Sequence, residues 1–252
     1  MKKKLKILSP GILFSMIFCL LSACSDQNSS EIEKSLILEA VFDIEVSQPS
    51  GLTFGKNYQS LWTVSDLPDG NIYKIDFEGN IISKLKFKGE DLEGITYDQE
   101  NDVLWVVDEQ TGEIIKISPD SPEIKRISNP AFAPSNHGLE GISLENQNRL
   151  WVANEKLPRK LCVVNAGFSI EEQYEPDLAE DYSGLCVNPA DGTLWIVSDE
   201  SQLLIKWSPY QNNVEKYTIP IQKAEGIAIN HQSGQIFIVS DDEEKLYRFR
   251  IE

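Results

Sequence analysis

The chain has 252 residues, with 40 Asp and Glu against 23 Lys and Arg and a formal charge of −17. So acidic a composition argues against nucleic acid and anionic lipid headgroups as partners, because both are recognised by basic surface, and it leaves metal ions and cationic ligands open. Four cysteines in a chain of this length do not make a disulfide framework.

The first feature in chain order is Met1-Lys2-Lys3-Lys4-Leu5-Lys6, then an apolar stretch from Ile12 to Leu21, then Leu21-Ser22-Ala23-Cys24. A charged start, a short apolar segment and small residues before a cut predict a signal peptide over residues 1–23. Cys24 directly after Leu-Ser-Ala resembles the bacterial lipobox, whose Cys thiol receives a diacylglycerol. The alternatives are a Cys that merely sits near a cleavage site and a retained membrane helix, for which the apolar stretch falls short of the roughly 20 residues a span needs. Acyl chains contribute about 0.8 kcal/mol per buried methylene, so the expected state is anchored and not spanning. Ser25 stands where an Asp would resemble an inner-membrane retention signal, which favours the outer membrane, with the domain facing the periplasm or the outside. Residues 24–35 are polar, without apolar periodicity, and are read as a flexible tether. Loss of residues 1–23 leaves 19 basic side chains against 40 acidic ones, about −21.

From residue 36 to 252 the sequence repeats itself. Five segments open on Gly51-Leu52-Thr53-Phe54, Gly94-Ile95-Thr96-Tyr97, Gly141-Ile142-Ser143-Leu144, Gly184-Leu185-Cys186-Val187 and Gly226-Ile227-Ala228-Ile229, at intervals of 43, 47, 43 and 42 residues. That is the period of a four-stranded propeller blade. The third residue of each opening strand is small, as crowding about a propeller axis requires. Second strands follow at Leu61-Trp62, Leu104-Trp105, Leu150-Trp151, Leu194-Trp195 and Ile236-Phe237, where a broad ring fills the wedge between blades. Third strands are expected at Ile72–Phe77, Ile114–Ser118, Leu161–Val164, Leu204–Trp207 and Leu246–Phe249, and outer strands near Ile81–Phe87, Ile124–Ile127, Phe168–Tyr174 and Val214–Ile219. The fifth repeat lacks its outer strand. The strand-like run Ile37–Val46 has no repeat of its own and is expected to pair beside the last strand, closing the ring and removing an edge. The predicted fold is an all-β, five-bladed β-propeller of four-stranded antiparallel blades, with no helix longer than a turn. Cys162 and Cys186 lie in strand-like apolar runs and read as buried free thiols, with a disulfide between them as the alternative.

Before each opening Gly stands Ser50, Glu93, Glu140, Ser183 or Glu225, and after each second strand stands Asp66, Glu109, Glu155, Asp199 or Asp241. The start of one antiparallel strand and the end of the next share one end of the sheet, so eight carboxylates meet at one mouth of the channel. Two carboxylates about 6 Å apart repel by roughly 3 kcal/mol at an effective dielectric near 20, so protonation, basic partners or a cation must relieve the cluster. Lys156, Arg159 and Lys223 are near in sequence. All-oxygen donors favour a hard ion, Ca²⁺ ahead of Mg²⁺, with Glu93, Glu140 and Glu225 as the inner candidate ligands and Glu109, Glu155 and Asp199 beside them. The outer acids equally suit hydrogen bonds from loop amides that hold blade ends together.

The ordered motifs Asp91-Leu92-Glu93, Asn136-His137-Gly138-Leu139-Glu140-Gly141, Asp181-Tyr182-Ser183-Gly184, Ala224-Glu225-Gly226-Ile227-Ala228, Ile238-Val239-Ser240 and Leu246-Tyr247-Arg248-Phe249 resemble the SdiA-regulated family of YjiK-like proteins over nearly the whole domain. The resemblance implies a five-bladed propeller with a calcium site and no established activity. The lipobox is a departure from the family.

No nucleophile elbow, phosphate-cradling Gly-rich loop or Cys-x-x-Cys pair is present. His231, in the hairpin Asn230-His231-Gln232-Ser233-Gly234, reads as an exposed turn residue. His137 stands three residues before Glu140 and suits a general base beside a metal-activated water, or a loop histidine contacting a neighbouring acid. Two functional classes follow. One is a calcium-binding module of the envelope, lipid-anchored to the membrane, that takes a small molecule or protein at the acidic mouth. The other is a Ca²⁺-dependent hydrolase of lactones, phosphoesters or sugar-derived substrates.

Overall fold

In the computed structural model, residues 36–251 are described, except 122, 130, 133–137, 157 and 212. The signal peptide, Cys24, the tether and His137 therefore lie outside the described residues.

Strand β1 (Leu36–Asp43) precedes five repeats of the same unit. Blade one holds β2 (Pro49–Phe54), β3 (Leu61–Ser65), β4 (Ile72–Ile75) and β5 (Ile81–Lys84). Blade two holds β6 (Leu92–Asp98), β7 (Val103–Asp108), β8 (Glu113–Ile117) and β9 (Ile124–Ser128), and blade three holds β10 (Leu139–Asn146), β11 (Arg149–Asn154), β12 (Lys160–Asn165) and β13 (Ile170–Tyr174). Blade four holds β14 (Gly184–Asn188), β15 (Thr193–Ser198), β16 (Leu203–Ser208) and β17 (Asn213–Thr218). Blade five has three strands in sequence, β18 (Ala224–Asn230), β19 (Gln235–Ser240) and β20 (Lys245–Ile251). Its sheet order is β1-β20-β19-β18, so the N-terminal strand supplies the missing outer position. It pairs antiparallel with β20 from Leu36↔Ile251 to Asp43↔Lys245. The strand ends three residues before the predicted limit; Ile44 and Val46 are instead buried against blade one. The one helical element among the described residues is the single turn Lys56–Tyr58. The chain is thus a five-bladed β-propeller.

The sequence pattern explains the packing. In every blade the small third residue of the inner strand pairs directly with the aromatic of the second: Thr53↔Trp62, Thr96↔Trp105, Ser143↔Trp151, Cys186↔Trp195 and Ala228↔Phe237. A narrow residue near the axis and a wide one further out match the wedge between blades. Each ring packs into the next blade: Trp62 among Leu92, Ile95 and Tyr97, Trp151 among Leu185, Val187 and Leu194, and Phe237 among Leu52, Phe54 and Leu61. Trp151 is fully buried, and its removal to Ala is expected to cost about 3–5 kcal/mol. The glycines of the opening strands close the ring about the axis. A Cβ on Gly51 would stand 2.4 Å from the Glu93 carbonyl, on Gly94 2.3 Å from that of Glu140, on Gly184 2.2 Å from that of Glu225, and on Gly226 2.4 Å from that of Ser50. Backbone meets backbone there, so only glycine fits. Inner strands also bond across blades, with Leu144 N donating to Thr96 Oγ1 at 3.1 Å and Val187 N to Ser143 Oγ at 2.9 Å.

Both Cys162 and Cys186 are free; Cys162 is buried and Cys186 half-buried. His231 sits in the expected turn, yet it is not exposed. It is half-buried, with Nε2 3.2 Å from the Val187 carbonyl and 3.8 Å from Cys186 Sγ, because the blade-five turn folds over the neighbouring inner strand.

Candidate functional site

The acidic mouth is built by a repeated local distortion. In blades one, two, three and five the register slips where the inner strand begins, so that Ser50-Gly51, Glu93-Gly94, Glu140-Gly141 and Glu225-Gly226 each oppose a single residue of the second strand. Such a β-bulge bends the strand and re-aims a side chain. The glycine admits the neighbouring blade and the residue before it turns toward the axis. Sequence reading located these residues by their spacing; the bulge that aims them leaves no separate mark on the sequence.

At the same end, where each second strand finishes, the residue before the outer acid, and not the acid itself, often fastens the loop. Ser65 Oγ donates to the Ser47 carbonyl at 2.8 Å and Ser240 Oγ to that of Gln222 at 2.6 Å. Buried Asp108 accepts from the amides of Glu90 and Thr111, both at 3.1 Å. Asp181, which the sequence reading did not single out as a site residue, accepts from the hydroxyls of Ser183 and Ser198 and the amides of Asp199 and Glu200. Glu109 shows both behaviours expected of an outer acid: it accepts from Gly138 N of blade three at 2.7 Å and faces the cluster.

The inner acids are held at unusual cost. Glu140 is buried, and Glu93 and Glu225 are half-buried. Burial first, and then the neighbouring acids Glu93, Glu225, Glu155 and Glu109, push the Glu140 carboxyl well above its ordinary range. Burial raises Glu93 likewise, opposed by the hydroxyl of Ser50, which donates to Glu93 Oε2 at 2.6 Å. Burial lifts Glu225 to about 7 despite the nearby Lys223. Asp66 is lifted to about 7 by burial and then by Asp241 and Asp91. Buried carboxyl oxygens of Asp66 and Asp241 have no hydrogen-bond partner among the described residues.

Two lysines relieve some of the acids of the mouth. Lys156 Nζ lies 2.5 Å from Glu155 Oε1 and 3.0 Å from Glu200 Oε1, and Lys223 Nζ lies 3.3 Å from Glu225 Oε1 and 3.7 Å from Asp199 Oδ2. Arg159 turns outward to Asp177 and Glu180. Among the described residues Asp66, Asp91, Glu93 and Glu140 have no ion pair with a basic side chain. Two groups gather there, Asp91-Glu93-Glu109 and Glu109-Glu140-Glu155, each with carboxylate oxygens within 4.8 Å of one another, the second including the Glu155 that Lys156 holds. Of the six sequence-predicted metal residues, the structure thus brings Glu93, Glu109, Glu140 and Glu155 together, sets Glu225 and Asp199 on Lys223, and adds Asp91. The donor set suits a hard divalent ion: four blade-two and blade-three strand ends, carboxylate oxygen alone, and no thiol or imidazole among the described residues of either group.

The family model of the SdiA-regulated proteins matches residues 31–250, essentially the whole propeller. A 105-residue stretch is 27% identical to a putative sugar lactone lactonase, YvrE of Bacillus subtilis (strain 168); it covers 38% of this chain and only 35% of that relative's length. Among solved structures, the Myxococcus xanthus glutaminyl cyclase superposes with a TM-score of 0.65 at 15% identity, covering 87% of this chain and 98% of that one. A chain of the nidogen/laminin complex superposes with a TM-score of 0.56 at 13% identity, covering 76% of this chain and 72% of that one. At such identities the structural likeness speaks for the fold alone.

Proposed function

The chain belongs to the SdiA-regulated family, and on that premise we propose that it is a calcium-binding recognition module of the bacterial envelope that takes its ligand at the acidic mouth of the propeller. The observation that carries this reading is the imbalance of the mouth: Lys223 serves Asp199 and Glu225 and Lys156 serves Glu155, while Asp91, Glu93 and Glu140 converge beside Glu109 with no basic side chain on them among the described residues, and burial and mutual repulsion make the ionised forms of Glu93 and Glu140 costly. A divalent cation relieves that repulsion and ties blade two to blade three. Ca²⁺ is the ion that a flexible all-carboxylate set suits best. A ligand carrying oxygen donors, whether a small molecule or a protein side chain, would then meet the ion and the surrounding acids at the channel mouth. The Leu21-Ser22-Ala23-Cys24 motif supports attachment through Cys24 with residues 24–35 as the tether, and Ser25 supports the outer membrane.

A second reading is supported by the partial likeness to a putative sugar lactone lactonase: calcium-dependent hydrolysis of lactones at the same mouth, with His137 as the base. A lactone hydrolysis panel run with Ca²⁺ on the full chain and on His137→Ala separates the two. The recognition reading expects no turnover above the chelated control by either protein; turnover that needs Ca²⁺ and is lost in His137→Ala with calcium still bound would replace it with the hydrolase.

A further inference from the structure

At the end of the blades opposite the mouth, a groove of about 180 Å³ runs between blades two and three, bordered by Trp105, Lys116, Lys125, Gln147, Arg149 and Phe168. Its chemistry departs from the equivalent place in the other blades. In blade four the sequence of cross-strand partners is Trp195↔Lys206↔Glu215; Lys206 Nζ lies 5.6 Å from the indole centroid and 3.7 Å from the Glu215 carboxylate. In blade one it is Trp62↔Lys74↔Ser83. Blade two reads Trp105↔Lys116↔Lys125, so a second lysine stands where blade four has the acid. Like charges directly opposite on adjacent strands destabilise a sheet. Neither lysine has an ion-pair partner among the described residues of this strongly acidic chain. Their ammonium groups lie instead over aromatic rings, Lys116 5.0 Å from Trp105 and Lys125 5.4 Å from Phe168.

A second, independent feature belongs to the Trp105 side chain that borders the groove. The indole Nε1 of Trp105 is buried without a hydrogen-bond partner among the described residues. In blade three the equivalent Trp151 Nε1 donates to Glu145 Oε2 at 2.9 Å. The blade-two counterpart of Glu145 is Asp98, whose carboxylate already accepts from the amides of Glu100 and Asn101 and from the Asn101 side chain. An orphaned buried donor costs about 1–3 kcal/mol, and an acceptor supplied from outside recovers it. Arg149 does not serve, being held by Glu145 and Glu172.

We propose that this groove binds a small organic carboxylate, whose charge replaces the acid missing opposite Lys116 and whose apolar body packs against the Trp105 and Phe168 pair. The two rings pack against each other, centroids 5.5 Å apart at 48°, and together form one apolar wall that suits a benzoate-like acid and not inorganic phosphate. The site is separate from the acidic mouth and its occupancy does not depend on calcium.

Isothermal titration of the full chain with sodium benzoate, in chelator and with sodium phosphate as control, tests it. Benzoate is expected to bind the wild type. Lys125→Glu, which installs the cross-strand pair of blade four, is expected to weaken binding at least about tenfold while raising the melting temperature. Lys116→Gln, the second charge variant, is expected to weaken binding by a similar factor. Trp105→Phe, which keeps a ring and removes the N–H, is expected to weaken binding about fivefold. No benzoate binding by the wild type, binding unchanged in Lys125→Glu, or phosphate bound as tightly as benzoate would each overturn the assignment. Because chelator is present throughout, the outcome is independent of the calcium reading.

Discussion

Ser50 Oγ of blade one donates to Glu93 Oε2 of blade two at 2.6 Å, joining two inner strands at the point where the register slips and the carboxylates converge. The bond is charge-assisted whenever Glu93 is ionised, and it is the chief influence opposing the upward shift of that carboxyl. Ser50→Ala is therefore expected to cost about 1–2 kcal/mol at pH 8 and less at pH 5, because the raised Glu93 carboxyl is more protonated as pH falls. Urea unfolding at the two pH values measures the difference; an equal loss at both would remove the electrostatic part of this account.

The glycine ring makes a sharper mechanical claim. Gly94→Ala drives a methyl to 2.3 Å from the Glu140 carbonyl, backbone that has nowhere to move without parting two blades, and is expected to destabilise by ~3 kcal/mol. Gly234, in the blade-five turn, has φ +73 and no described residue within 4 Å of an added Cβ, so Gly234→Ala carries only the left-handed backbone cost of about 1 kcal/mol. Thermal melts of the two variants side by side should show the first far below the second.

The pH dependence follows from the same mouth. Asp66 rises from the usual 3.8 and Glu225 from 4.5, each to about 7, both chiefly through burial. The folded state therefore holds more protons than the unfolded one between about pH 4 and pH 7, and stability contributed by these groups is present below the unfolded values and declines as pH rises through the folded ones. Metal-free protein is expected to melt about 5 °C lower at pH 8 than at pH 5. A melting temperature that rises over this interval would contradict the burial of these carboxyls.

Lys223 bridges Asp199 of blade four and Glu225 of blade five. Lys223→Gln leaves both acids facing Asp241 with their shared ammonium gone, at an expected cost of ~1 kcal/mol at pH 8. The loss should shrink at pH 5, where Glu225 is protonated; chemical denaturation at both values reads it.

Much of this architecture was legible because the repeat imposes one geometry five times. Gly51, Gly94, Gly141, Gly184 and Gly226, the small third residues and the Leu-Trp pairs mark strands whose positions the propeller fixes, and the unpaired run near Leu36 could only close the fifth blade. The identity of the acids at the mouth was legible for the same reason. What they do to one another was not. Whether Lys223 reaches Asp199, whether Asp91 joins Glu93 and Glu109, and whether His231 is covered by the neighbouring inner strand all depend on contacts between blades, which ring closure creates and spacing along one strand does not encode. The Lys116 and Lys125 pair was hidden likewise, since cross-strand register alone brings residues nine apart face to face.

The central claim, that the side of the mouth formed by Asp91, Glu93, Glu109, Glu140 and Glu155 holds calcium, is tested most directly by the melting temperature of the full chain at pH 8 with Ca²⁺ and with chelator. Saturating Ca²⁺ at about 100 times its dissociation constant adds roughly 2.7 kcal/mol, expected as a rise of about 5–10 °C that is absent in Glu93→Gln/Glu140→Gln. A melting temperature unchanged by either addition, in purified protein that carries no metal, would contradict it.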